Sequence, residues 1–323
     1  MSARQGPEDA YRRYLLENRP LLEEAARESD IAFFKVMKNL VFGTNRSIFT
    51  AVVGRDQEGI EKWSPGKPLN RVNIRATVAS LMPDMLADSI FINTYRDDRE
   101  LAIHVLADRG APMYPASFLA GPPDPLQTPM ALSILLQALI RTIAREYDAR
   151  LFLSPFPLAG RPLPADPKAR DLSAFLRALE PPVPAEGDPA EAFSWLFRSR
   201  VRHVVVFLVS HEGFFQGDER QALLRDLRAF SMTNDVIFTP LGRDPLSELL
   251  RSPGPVEVQW PGGGILARNE AEKRRAAARL REERIKEFAR LEENGLRVCP
   301  LTAGRPDWYR EFAEFFRNRV VLK

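Results

Sequence analysis

The chain has 323 residues, 45% of them hydrophobic and 28% charged, so it can bury a sizeable core as one large domain or two ordinary ones. Its 46 basic and 43 acidic residues leave a formal net charge of only +3. Interspersed charge of this kind excludes a polycationic nucleic-acid footprint. The single Cys299 excludes intrachain disulfides and thiolate-rich metal sites, and three histidines leave little for a zinc centre.

Residues 8–27 read as a charged helix carrying Tyr11, Leu15, Leu16, Leu22 and Ala26, which Pro20 kinks or breaks. A second helix is expected from Asp30, with Ile31, Phe34, Met37, Val41 and Phe42 at helical spacing and Gly43 closing it. Strands are expected at Ser47–Val53 and Ser89–Tyr95, on either side of a Pro/Gly-rich turn and a segment, Val72–Met82, of undecided type. From Leu101 strands and helices alternate. Strands fall at 101–107, 151–153, 203–209, 236–239 and 296–299, and helices at 129–147, 167–179, 189–199, 218–230, 268–293 and from Pro306. Thr128, Asp166 and Asp188 each precede a proline, the cap-then-proline device that opens a helix. Alternation of this kind predicts a mainly parallel sheet with helices on both faces.

Several segments carry bland readings. The nine prolines between Pro155 and Pro189 read as surface connection. Gly262–Gly264 lacks the Lys-Ser/Thr of a phosphate loop and reads as a hairpin or loop. The charged helix at 268–293 reads as a solvated face, buried along Ala277, Leu280, Phe288 and Leu291. His104, among Ile103, Val105 and Leu106, reads as a hydrogen-bonded core histidine, His203 as exposed, and Cys299 as core. No apolar run approaches the roughly 20 residues that span a bilayer, and Met1–Pro7 has no signal-peptide hydrophobic region. A cytoplasmic protein without a membrane span is the expectation.

Two apolar strands matter most for function. Leu101–Ala107 runs into Asp108-Arg109-Gly110-Ala111-Pro112, and His203–Val209 runs into Ser210-His211-Glu212-Gly213. Loops at the carboxyl ends of parallel strands form the ligand crevice of an open α/β sheet. One carboxylate, Asp108, stands there without the hydroxyl groups that would complete a Mg²⁺ shell. Ser210 beside His211 does not make a triad, because sequence neighbours rarely align for proton transfer.

Four stretches resemble one family. The first holds Gly43 with Arg46-Ser47, then Gly66, Arg71 and Ala76, with Lys67, Asn73 and Ile74 where the family has two aspartates and a tryptophan. The second is Phe91–Asp108, in which Tyr95–Glu100 leads into the first sheet strand. The third is Arg243-Asp244-Pro245-Leu246 with Gly254, Val256 and Val258, and the fourth is Gly295–Thr302 with Phe315, Phe316 and Arg319. In order and spacing the chain resembles the bacterial von Willebrand factor A-like proteins known as domain of unknown function fifty-eight, typically encoded beside MoxR-type AAA+ ATPases.

The resemblance implies a von Willebrand A-like, Rossmann-like α/β domain at 99–323 and a β-rich family-specific region at 43–98, and the N-terminal helices at 1–42 lie outside it. Such domains bind Mg²⁺ through Asp-x-Ser-x-Ser and a distant Thr and Asp. The aligned positions here are Asp108, Gly110 and Pro112, with His211 at the distant aspartate and Glu212 beside it as a partial substitute. The expectation is a non-catalytic adaptor with no cofactor, working with a MoxR-type ATPase on an unidentified client complex. Metal insertion into an enzyme is one form of that work. Docking would use a crevice of Asp108, Arg109, Pro112, Met113, His211 and Glu212. The alternatives are a divalent-metal-dependent binder using Asp108 and Glu212, and a hydrolase using His211 or Glu212 as base.

Overall fold

A computed structural model describes residues 13–41, 57–62, 90–95, 101–113, 128–147, 149–156, 163–168, 172, 189–198, 204–216, 219–243, 249–250, 254–258 and 265–321. The expected strand at Ser47–Val53, the segment Val72–Met82, most of the helix at 167–179, Gly262–Gly264 and His203 lie outside them.

The first long helix, α1 (Arg19–Val41), is continuous through Asp30, where a second helix was expected to begin. The break expected at Pro20 in the helix read over 8–27 falls two residues earlier, at Asn18, between helical residues 13–17 and α1. The chain turns at Asn18, whose side-chain amide donates to the Tyr14 carbonyl at 2.8 Å, and Pro20 falls in the first turn of α1. A proline there loses no helical hydrogen bond. Two strands, β1 (Gln57–Lys62) and β2 (Phe91–Tyr95), form a separate antiparallel pair with a register shift at Gln57/Gly59.

Among the described residues a seven-stranded sheet follows. Its strands are β3 (Ala102–Asp108), β4 (Arg150–Phe156), β5 (Leu163–Ala165), β6 (Val204–His211), β7 (Asp235–Gly242), β10 (Arg297–Val298) and β11 (Leu301–Thr302). The lateral order is β10-β7-β6-β3-β4-β5, with β11 also on β7. All pairings are parallel except β4–β5 at the edge. Counting β10 and β11 as one edge strand interrupted at Cys299-Pro300, this is the strand order of doubly wound α/β sheets. Two of the prolines expected in surface connection lie in strands. Pro155 sits in β4 beyond the last β5 partner of that strand, and Pro164 sits in edge strand β5. A residue without an N–H is tolerated in those places.

The helices are α2 (Pro129–Glu146), α3 (Pro189–Arg198), α4 (Glu219–Ser231), α5 (Glu270–Glu293) and α6 (Trp308–Val321). Alternate residues of β6 feed two cores. Val205, Phe207 and Val209 join α1, α2 and α6, while Val204, Val206 and Leu208 join α3, α4 and the end of α5. Burial on both faces explains why β3 and β6 read as largely apolar runs up to their carboxyl ends, with His104 as the exception in β3.

Helix α2 is buried from Pro129 to Ala144, polar residues included, because α1 covers the side turned away from the sheet. Thr128 caps it by accepting the Ala131 N–H at 3.1 Å, as expected. At α5, Asn269 accepts the Glu272 N–H at 2.9 Å and Glu272 accepts the Arg268 N–H at 2.7 Å, a reciprocal arrangement of the capping-box type. Gly295, at φ 83°, ends that helix. Of the four residues expected to bury α5, Ala277 and Leu291 are buried, and Leu280 and Phe288 only partly. A short antiparallel pair, β8 (Val256–Val258) and β9 (Ile265–Ala267), brackets the segment holding the glycine run.

His104 is buried as expected but lacks the expected hydrogen bond at Nδ1. Its ring stacks on Phe152, 4.7 Å between centroids, and lies 5.7 Å from Trp195. Burial pushes its pKa down to about 4, and the Arg150 guanidinium adds to the effect.

No described helix is long and apolar enough to cross a membrane.

Candidate functional site

Strand β3 continues through α2 to β4 on one side of it, while β6 pairs on the other side. The connections diverge between β3 and β6, the switch point at which open α/β sheets bind ligands. The carboxyl end of β3 is Asp108 and that of β6 is Ser210-His211. Ala107 pairs with Val209, so Asp108 and Ser210 are neighbours one step further along the same register.

Asp108 is 4% exposed and its oxygens are engaged. Oδ1 accepts the Gly110 N–H at 2.7 Å. Oδ2 accepts the Ser210 hydroxyl at 2.5 Å and faces His211 Nδ1 at 3.1 Å. An imidazole nitrogen directed at a carboxylate carries the proton, so Nδ1 donates and Nε2 faces away from Asp108. Three donors on one buried carboxylate are charge-assisted hydrogen bonds, which offset its loss of water. Asp108 pairs with His211 across the crevice and caps its own loop through Gly110.

The other expected crevice residues divide. Met113 is fully buried in the main core and offers no surface. It closes a 3₁₀ turn (Ala111–Met113), its N–H donating to the Gly110 carbonyl at 3.0 Å. Arg109 is also buried, and its backbone N–H donates to the Phe156 carbonyl at 2.9 Å. Pro112 is exposed, while His211 and Glu212 are partly exposed. The accessible rim is therefore Pro112, His211 and Glu212.

Glu212 turns away from Asp108 and pairs with Arg284 of α5, which also reaches the Arg243 carbonyl at 3.3 Å. A Cβ built on Gly242 would lie 1.8 Å from Glu212 Oε1 and 2.0 Å from its Cδ, so the carboxylate rests against bare backbone. Gly242→Ala is expected to expel Glu212, part it from Arg284 and cost about 1–2 kcal/mol, because a side chain and not backbone must move. Faster amide exchange near Arg284 with β6 unchanged is the expected signature.

Sequence reasoning left Ser210 and Arg284 out of the site. Ser210 becomes visible once β3 and β6 are aligned in register. Arg284 lies 41 residues beyond Arg243 with no local signal.

The arrangement does not assemble a serine nucleophile. Ser210 is fully buried, gives its proton to Asp108, and sits 3.3 Å from Nδ1, the nitrogen already facing that carboxylate. A catalytic serine instead donates to a free imidazole nitrogen. The fit to Mg²⁺ is poor as well. The ion favours an octahedron of oxygens, whereas among the described residues the crevice offers one carboxylate, one hydroxyl and one imidazole, with Glu212 committed to Arg284. Among the described residues no three His, Cys, Asp or Glu side chains converge.

No protein-family model, curated protein or solved structure gives a significant match to the chain.

Proposed function

We propose that the chain is a non-catalytic, von Willebrand A-like adaptor that works with a MoxR-type AAA+ ATPase in assembling or maturing another protein complex. The resemblance of the sequence motifs supplies the partner class. The observation that carries the docking role is the Asp108 latch. Its hydrogen bonds from Ser210, His211 and Gly110 hold two strand-end loops at the sheet switch point and commit the groups that catalysis would need. The latch shapes a rim, on which Pro112 and His211 present surface to a partner.

The test is titration calorimetry between the purified full chain and a MoxR-type AAA+ ATPase from the same organism. Binding is expected, with His211→Ala weakening it tenfold or more, equivalent to about 1.4 kcal/mol. Unchanged affinity in His211→Ala and Pro112→Arg would remove the crevice from the reading, and absence of any binding would remove the partner.

A divalent-metal-dependent binder is the second reading. The Ser210 hydroxyl favours it by adding an oxygen beside Asp108. Thermal shift with Mg²⁺, Mn²⁺ and Ca²⁺ decides: a rise that vanishes in Ser210→Ala supports it, and no rise with any ion sinks it.

A further inference from the structure

Helix α1 lies on α2 and α6 through a stripe of buried residues: Leu22, Ala26, Ser29, Phe33 and Met37. A carboxylate borders this stripe. Asp30 Oδ2 accepts the Thr142 hydroxyl of α2 at 2.7 Å, while its Oδ1 is buried without a hydrogen-bond partner. One accepted bond suits a neutral carboxylic acid better than a charged carboxylate, which needs several donors. The charges acting on Asp30 come from α2, where Arg141 and Arg145 favour ionisation. Helix α6, also against α1, brings the apolar ring of Phe312 to Phe33, one turn beyond Asp30.

We infer that Asp30 is a proton-dependent latch, holding α1 on α2 when its carboxyl is protonated and loosening that helix when it ionises. Burial is the largest influence on the group and outweighs both arginines and the Thr142 hydrogen bond, raising its pKa to about 6. A raised carboxyl pKa contributes stability that is fully present below the unfolded value of 3.8 and is lost as pH rises through 6. The helix is therefore held most firmly in acid and least firmly above neutrality. When it lifts, it uncovers Leu22, Phe33 and Met37 together with the polar face of α2.

Hydrogen exchange on the full chain at pH 5 and pH 8, expressed as protection factors, tests this. Amides of α1 are expected to lose about tenfold in protection relative to those of β6 between the two values. The full separation of the two pKa values, about a hundredfold, is reached only below pH 3.8. Asp30→Asn, which keeps an acceptor for Thr142 and cannot ionise, is expected to remove the difference and hold α1 at pH 8 as firmly as the unsubstituted chain holds it at pH 5. A constant ratio of α1 to β6 protection in the unsubstituted chain overturns the inference. So does an Asp30→Asn variant that retains the drop.

Discussion

Asp108→Ala is expected to destabilise the fold by about 3 kcal/mol, and His211→Ala by less than about 1 kcal/mol. The first substitution leaves the Ser210 hydroxyl, the Gly110 N–H and His211 Nδ1 facing an apolar methyl. Ser210 is fully buried, so water does not replace its lost acceptor without local rearrangement. Removing the buried charge offsets part of the loss, which keeps the figure near 3 rather than above 5 kcal/mol. The His211 side chain is 28% exposed, so its truncation leaves Asp108 with two of its three donors and access to water. Asp108→Asn falls between them, because an amide keeps one acceptor oxygen and turns the other toward Ser210 as a donor. Urea unfolding measures all three. Asp108→Ala within 0.5 kcal/mol of the unsubstituted chain, the usual surface range, would show that the latch holds nothing together. The difference has a consequence for function: a docking defect in Asp108→Ala includes a collapsed loop, whereas His211→Ala reports on the rim itself.

The second large effect belongs to His104. Its folded pKa of about 4 lies below the ordinary 6.5, so the fold favours the neutral ring. The unfolded chain takes up the proton first as pH falls, so this stability is fully present above 6.5 and is lost as pH falls through 4. The separation corresponds to about 3 kcal/mol. Asp30 titrates with the opposite sign over an overlapping range, so the two partly cancel in the unsubstituted chain. His104→Phe separates them. The variant keeps a flat ring against Phe152 and removes the titrating nitrogens. Its stability relative to the unsubstituted chain is expected to rise by about 3 kcal/mol between pH 7 and pH 4. Any constant packing cost of the larger ring drops out of that comparison. Denaturant curves at the two pH values check it, and a difference independent of pH would show that His104 is solvated.

The parallel architecture was legible because strands buried on both faces leave near-continuous apolar runs, broken only by His104 in Ile103–Ala107 and unbroken in Val204–Val209. Helix starts were legible where a cap precedes a proline, as at Thr128. Pro20 marked a break that falls at Asn18 and leaves the proline in the first turn of α1, whereas no break occurs at Asp30, where the helix runs on. The resemblance supplied Asp108, His211 and Glu212 as a group, but sequence distance hid how they divide. Asp108 and Ser210 meet across 102 residues through strand register. Glu212 is drawn off by Arg284, 72 positions away, over a glycine that leaves room for it. Met113 looked like part of the rim and turns inward because a 3₁₀ turn carries it into the core.

By itself the sequence determined the layered α/β plan, the helix caps and the residues standing at the two strand ends. Those follow from periodicity and backbone chemistry within a few residues. Only the tertiary structure decided which charges meet. Pairing depends on strand register and helix placement, and these bring together side chains such as Asp108 with Ser210 and Asp30 with Thr142 that share no local signal.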